Sequence, residues 1–88
     1  MEVTLRARIA KAVNKADPEG LLKLGAPADE YGVEIDAIAA ALEDVPLTEK
    51  AVAIVARNVF RKYFGHSAYT HDDFLTMAKE ICSTQSFA

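Results

Sequence analysis

Three acidic side chains, Asp17, Asp29 and Glu30, are the residues of this sequence best suited to form a chemical site. Their carboxylate oxygens could bind a hard cation or present acceptors to a basic protein partner. A purely structural role is the other interpretation, in which Asp17 caps a turn and the two later carboxylates bond loop amides or the basic face of the first helix. The stretch lacks the alternating oxygen donors around a central glycine that a calcium loop shows. We therefore expect a structural role or a protein contact ahead of a metal site.

His66, His71 and Cys82 form a second candidate set, for metal binding or nucleophilic chemistry. The two histidines are five positions apart across a predicted loop, and no HExxH or CxxC arrangement accompanies them. Cys82 falls late in an apolar stripe, where free cysteines pack as small hydrophobic side chains. The sequence also lacks a GxSxG, P-loop or dinucleotide-binding motif. We expect no catalytic residue, no metal site and no cofactor.

The net charge of −3 argues against nucleic-acid binding, and it is distributed unevenly along the chain. Residues 1–16 carry +3, residues 17–47 carry −7, residues 48–69 carry +3 and residues 70–88 carry −2. An acidic middle segment between basic segments favours charge pairing inside the fold or between subunits. Solvated faces of mixed sign are the alternative.

Arg57 and Arg61 belong to the best basic stripe of the sequence, with Lys50 and Lys62 near the same face of the third predicted helix. A nucleic-acid interface requires more positive charge nearby than the acidic middle segment allows. We interpret the stripe as a solvated helix face, as a partner for the acidic segment, or as part of a contact with another protein.

Length and composition indicate one small domain. The chain has 88 residues and is 51% hydrophobic, which is typical of a globular protein and not of a disordered one. No apolar run approaches the ~18–20 residues of a membrane span. Residues 1–13 alternate charged and apolar groups, without the hydrophobic region of a signal peptide. Together with a single cysteine, these features predict a protein of the reducing cytoplasm.

The spacing of apolar residues predicts an all-α fold, a compact bundle of four helices plus a short helical turn after the first helix. Apolar side chains recur at helical intervals, and no alternating strand pattern occurs. The short turn covers residues 18–24. The four helices cover about residues 3–16, 33–44, 48–64 and 70–83.

Two sets of side chains are expected to face the core. The third helix carries an inward stripe at helical spacing, formed by Val52, Val55, Val59 and Tyr63. The short turn carries three leucines that are expected to dock on the core, namely Leu21, Leu22 and Leu24.

The ends of the predicted helices and turns carry capping residues. Asp17 is expected to be the N-cap of the short turn, with Pro18 at its first position and Gly25 in the left-handed position after it. The other structural residues are a turn glycine, two N-caps and a helix-ending glycine, namely Gly20, Thr48, Thr70 and Gly65.

The order of residues in the first half of the chain resembles a family of small bacterial helical proteins with an Asn-x-Trp-Asp-Pro-Ile-Gly-Leu-Leu…Ala-Pro-x-Asp-Glu-Tyr pattern. The resemblance covers residues 10–65 and includes a Phe-Gly ending, here Phe64 and Gly65. Ala16 stands where the family has an aromatic residue, and Glu19 stands where it has isoleucine. The family is a domain of unknown function, some of whose relatives are regarded as immunity or partner-binding proteins, so the resemblance implies a fold and a bacterial origin but no reaction. It is carried by Asn14, Asp17, Pro18, Gly20, Leu21, Leu22, Gly25, Ala26, Pro27, Asp29, Glu30 and Tyr31.

These observations favour a non-catalytic protein-interaction module that binds a protein partner, or itself as a homodimer, through the Asp29-Glu30-Tyr31 loop. Tyr31 is expected to anchor the contact, because an aromatic ring with a polar tip suits contact surfaces. Asp29 and Glu30 are expected to steer a basic partner. The alternative is a small-ligand or divalent-metal-binding protein centred on Asp17, Asp29 and Glu30, which requires a concave pocket around these carboxylates. Neither a nucleic acid nor a membrane is expected as a partner.

Overall fold

A computed structural model describes residues 4–27, 29–65 and 69–82. These parts of the chain form helices and turns and contain no β-strand, so the predicted all-α class is confirmed. A 3₁₀ turn, Leu42–Asp44, extends the second helix, and another, His71–Phe74, leads into the fourth. The four helices are α1 (Leu5–Ala16), α2 (Gly32–Ala41), α3 (Glu49–Phe64) and α4 (Leu75–Cys82).

Local side-chain chemistry accounts for where the helices begin and end. Thr4 and Thr48 each accept a hydrogen bond from an amide in the first turn of α1 and α3, which satisfies a donor that the helix leaves unpaired. Gly65 ends α3 with φ of 72°, a left-handed conformation that glycine adopts without steric cost. Thr70 forms a capping box with Asp73, and this box opens the 3₁₀ turn before α4.

Residues 18–25 form a series of hydrogen-bonded turns, which corrects the predicted helical turn over residues 18–24. Asp17 is the left-handed C-cap of α1 (φ 46°), and its N–H bonds the Val13 carbonyl, so it ends one helix and does not start another. Gly20 and Gly25 both have positive φ (69° and 98°). One bond of the i to i+4 type forms there, from the Leu24 N–H to the Gly20 carbonyl at 3.3 Å, and the left-handed Gly25 then ends the turn before a helix can extend.

Each helix packs mainly against two neighbours, since α1 and α3 both contact α2 and α4. The side chains between them form one core, whose burial supplies the main stabilisation of the fold. None of the helices in the ranges described is both long and apolar enough to cross a membrane. The largest fully buried side chains are Tyr31, Phe60, Phe74, Ile9, Ile38, Ile81, Val13 and Val52.

Two side chains that were predicted to face the core are exposed. Tyr63 is 44% exposed, because α3 lies between α2 and α4 and its buried face is centred on Ala56 and Phe60. Leu24 is 84% exposed, because the turns around it do not continue the helical spacing that would have placed it inward. Its neighbours Leu21 and Leu22 are partly buried against the core, as predicted.

Candidate functional site

The Asp17 carboxylate is saturated by hydrogen bonds from the segment that follows it. It accepts from the backbone N–H groups of Leu22 and Lys23, both at 3.1 Å, and from the hydroxyl of Tyr31 at 2.6 Å. Burial by itself raises the pKa of the Asp17 carboxyl, but these hydrogen bonds outweigh burial and hold its pKa below the usual value. Asp17 therefore ties the end of α1 to the turns and to the start of α2.

Tyr31 is fully buried, with 0% of its surface exposed. Its ring packs against Phe60 and Phe64 of α3, with centroid distances of 5.8 and 6.3 Å. Its hydroxyl donates to Asp17 and accepts the N–H of Glu19 at 3.0 Å. Burial, and then the hydrogen bond to Asp17, raises the pKa of the Tyr31 hydroxyl to about 12. A side chain with no exposed surface offers nothing to a partner, so the expectation that Tyr31 anchors a contact is corrected.

Tyr69 repeats this arrangement on the other side of the turns. Its hydroxyl lies 2.6 Å from a carboxylate oxygen of Glu19 and 3.1 Å from the Pro18 carbonyl. The hydroxyl has one hydrogen and both neighbours are acceptors, so we assign its donation to the nearer, charged carboxylate. Burial, and then the bond to Glu19, raises the pKa of Tyr69. Its ring packs edge-on against Phe74 at 5.1 Å, which anchors the residues before α4.

Asp17, Glu19, Tyr31 and Tyr69 together form a closed network that we call the tyrosine brace. It joins the end of α1, the start of α2 and the residues before α4. No sequence pattern indicates the Glu19–Tyr69 pair, because its members are 50 positions apart. Because the acceptors and donors of the brace satisfy one another, its chemistry is that of a structural connection.

Asp29 and Glu30 differ from Asp17 in both exposure and partners. Both are exposed, and neither side chain has a hydrogen bond or an ion pair with any residue in the ranges described. The backbone shapes their loop, since the Glu30 N–H bonds the Pro27 carbonyl and the Gly32 N–H bonds the Asp29 carbonyl, both at 3.0 Å. The loop therefore has a defined turn geometry while its two carboxylates face solvent.

Large exposed hydrophobic side chains accompany these carboxylates in the same stretch of chain. Leu24 is 84% exposed and Val33, in the first turn of α2, is 60% exposed. Leu24, Asp29, Glu30 and Val33 define what we call the acidic loop surface. A surface that combines exposed apolar groups with charged ones can contact another protein.

The two arginines predicted to bind a partner are engaged within α3 and with the residues that follow it. The Arg61 guanidinium donates from Nε and Nη2 to the Tyr69 carbonyl, at 2.9 and 2.5 Å. The Arg57 guanidinium donates from the same two atoms to the side-chain oxygen of Asn58, at 3.2 and 3.0 Å. Neither arginine bonds Asp29 or Glu30 in these contacts. Arg61 thus supports the position of Tyr69 in the tyrosine brace.

The remaining predicted capping residues lie in turns around the brace. Pro18 follows Asp17 directly, and its carbonyl is the more distant neighbour of the Tyr69 hydroxyl. Gly20 and Gly25 supply the two positive φ angles of the turns. These residues shape the backbone that carries Glu19 to the two tyrosines.

Among the histidine and cysteine candidates, Cys82 is the one whose side chain the structure describes. His66 lies outside the described residues, and His71 begins the 3₁₀ turn before α4. Burial raises the pKa of the Cys82 thiol, which is the opposite of what an activated nucleophile requires. Within residues 4–27, 29–65 and 69–82, no group of three His, Cys, Asp or Glu side chains could hold a metal ion. The alternative metal site on Asp17, Asp29 and Glu30 therefore gains no support from the geometry.

One buried acid was not singled out from the sequence. Glu34 on α2 is only 7% exposed, and its Oε1 atom has no hydrogen-bond partner in the part of the chain that the structure describes. The sequence signal for its burial is its position three residues after Tyr31, since residues three apart share a helix face. None of the contacts among the described residues places a second polar side chain beside this oxygen, so Glu34 is not treated as part of a binding site.

Comparisons with known proteins add no family or template to these observations. No protein-family model matches the sequence, and no curated protein and no solved structure matches it at the threshold applied. The resemblance to the Asn-x-Trp-Asp-Pro family stays a prediction. The functional argument accordingly rests on the geometry of the chain itself.

Proposed function

We propose that this protein is a non-catalytic interaction module that binds a protein partner through the acidic loop surface. The observation that supports this most is the contrast between its carboxylates. Asp17 is bonded on every side, whereas Asp29 and Glu30 are exposed and form no ion pair with the residues described. Two free carboxylates on a loop of defined backbone geometry suit a basic partner surface. A bacterial origin and a cytoplasmic location belong to the same proposal.

The apolar side chains of the surface would add hydrophobic binding free energy to the electrostatic attraction of its carboxylates. Leu24 and Val33 expose hydrophobic area that burial against a partner would remove from water, at about 25 cal/mol per Å². Asp29 and Glu30 would speed association with a basic surface more than they strengthen the final complex. Binding should therefore weaken as salt is raised, while an apolar contribution persists.

The test compares two pairs of charge-neutralising substitutions. Asp29→Asn with Glu30→Gln removes both charges of the acidic loop surface. Glu43→Gln with Asp44→Asn is the matched control, because it removes two adjacent exposed acids at the other end of α2. Partners are captured by chemical cross-linking from extracts of the source cells, purified, and titrated with each variant at low and moderate salt.

We expect the parent and the Glu43→Gln/Asp44→Asn variant to bind the purified partner alike, and the loop variant to bind on the order of tenfold more weakly at low salt. Equal binding by all three proteins would contradict the proposal. Sedimentation of the same three proteins separates a homodimer from a heterologous partner, because a dimer formed through this surface should be lost only in the loop variant.

A further inference from the structure

Among the residues described, residues 18–25, which we call the strap, have no backbone-to-backbone hydrogen bond to any of the four helices. Their backbone bonds stay within residues 17–26, for example from the Leu24 N–H to the Leu21 carbonyl at 3.1 Å and from the Gly25 N–H to the Leu22 carbonyl at 3.0 Å. The bonds from Leu22 and Lys23 to the Asp17 carboxylate are equally local. The internal turns of the strap are therefore held by hydrogen bonds within residues 17–26, two of which go to the Asp17 carboxylate at the end of α1.

The Asp17 carboxylate at the end of α1 and two tyrosine hydroxyls provide polar attachments of the strap to the bundle. Tyr31 accepts the N–H of Glu19, and Tyr69 bonds the Glu19 carboxylate beside the Pro18 carbonyl. The apolar attachment consists of Leu21 and Leu22, which are only partly buried.

The tyrosine rings are held independently of the strap. Tyr31 packs against Phe60 and Phe64, and Tyr69 packs against Phe74. Because the rings are fixed by helix side chains, the bonds to Glu19 can break without any separation of the helices. Segments with few buried contacts open at lower free energy than the core does.

We propose that the strap is a conformational device that opens as a unit while the four helices stay packed. Opening breaks the bonds of Tyr31 and Tyr69 to Glu19 and lifts Leu21 and Leu22 from the core. Opening also moves Leu24 away from the acidic loop surface and so regulates partner binding, a consequence that rests on the proposed function. The opening itself is a property of the isolated chain.

Native-state hydrogen exchange on the isolated protein tests the opening, and the Glu19 amide is its reporter because the Tyr31 hydroxyl protects it. We expect this amide to exchange at least tenfold faster than the buried amides of Val59 and Phe60 in α3, with little dependence on added urea. Exchange of the α3 amides should accelerate steeply with urea, because it requires global unfolding.

Three variants separate opening of the strap from global unfolding. Tyr69→Phe should speed exchange at Glu19 on the order of fivefold, because one attachment is lost. Ile81→Val, in the fully buried part of α4, should speed exchange at Val59 and Phe60 but leave Glu19 unchanged. Tyr63→Phe, which removes the hydroxyl of a half-exposed ring, should change neither. Acceleration of Glu19 by Ile81→Val, or no effect of Tyr69→Phe on Glu19, would overturn the proposal.

Discussion

At the scale of single residues, the environment of a carboxylate decides whether it supports the fold or remains available to a partner. Asp17 and Asp29 are chemically identical and twelve positions apart, yet Asp17 accepts three hydrogen bonds and Asp29 accepts none from the residues described. Tyr31 contributes to the difference, since its buried hydroxyl donates its hydrogen to Asp17. A buried hydroxyl that bonds a charged group contributes more than a neutral pair does.

Removal of the Tyr31 hydroxyl should therefore be costly although the ring stays. Tyr31→Phe leaves the Glu19 N–H without its acceptor and takes one donor from Asp17. We expect it to lower the free energy of unfolding by ~1–3 kcal/mol. Urea unfolding followed by circular dichroism measures this change.

Tyr63→Phe is the matched control for that substitution. It removes the same hydroxyl from a ring that is 44% exposed, so the free energy of unfolding should stay within ~0.5 kcal/mol of the parent value. Equal effects of the two substitutions would mean that the hydroxyl of Tyr31 does not brace the fold.

At the scale of the helices, the features that depend on residues close together in the sequence, namely the helices and their capping residues, were predicted. Thr48 and Gly65 lie at the two ends of α3 because capping involves residues within one turn of each other. The four helices follow from apolar spacing for the same reason. Positive φ at Gly25 was predicted and positive φ at Gly20 was not, and the strap forms hydrogen-bonded turns in place of the predicted helical turn.

Features that depend on distant residues were not predictable from spacing. Tyr31 and Tyr63 both lie at apolar positions of their segments, and only the packing of α3 between two helices shows that Tyr31 is buried while Tyr63 is half exposed. The bond between Glu19 and Tyr69 spans 50 positions and leaves no pattern in the chain. Exposure of Asp29 and Glu30 was compatible with the sequence but could not be separated from a structural role without the fold.

At the scale of the whole molecule, the charges are mostly left on the surface. The ion pairs found among the described residues are Arg6–Asp36 and Lys15–Glu80, which link α1 to α2 and to α4. Exposed pairs of this kind contribute little stability. These two pairs involve one acid of the middle segment, Asp36, so among the described residues they account for a small part of the predicted internal charge pairing. Stability then depends on the core and on the tyrosine brace.

The brace predicts that stability falls on both sides of neutral pH. The folded pKa of Asp17 lies below its usual value of 3.8, so its contribution is complete above pH 3.8 and is lost as pH falls through the folded pKa. The folded pKa of Tyr31 is raised from 10.0 to about 12, so its contribution is complete below pH 10 and is lost between pH 10 and 12. Tyr69 shifts in the same direction as Tyr31.

Urea unfolding at a series of pH values checks this prediction. The free energy of unfolding should decline from pH 10 to 12 in the parent and decline less in Tyr31→Phe, which lacks one of the two contributing hydroxyls. A flat profile over that range, or identical slopes in the two proteins, would be inconsistent with a bonded Tyr31 hydroxyl.

The central claim is that Asp17 stabilises the fold whereas Asp29 and Glu30 are available to a partner. Its most direct test is to compare the urea unfolding of Asp17→Asn with that of Asp29→Asn/Glu30→Gln. Both variants remove carboxylate charge with little change in shape. We predict that Asp17→Asn lowers the free energy of unfolding clearly, because its amide cannot accept from all three donors, while the double variant stays within ~0.5 kcal/mol of the parent or rises. A loss of stability in the double variant that equals the loss in Asp17→Asn would show that Asp29 and Glu30 also brace the fold, and the proposed contact surface would lose its basis.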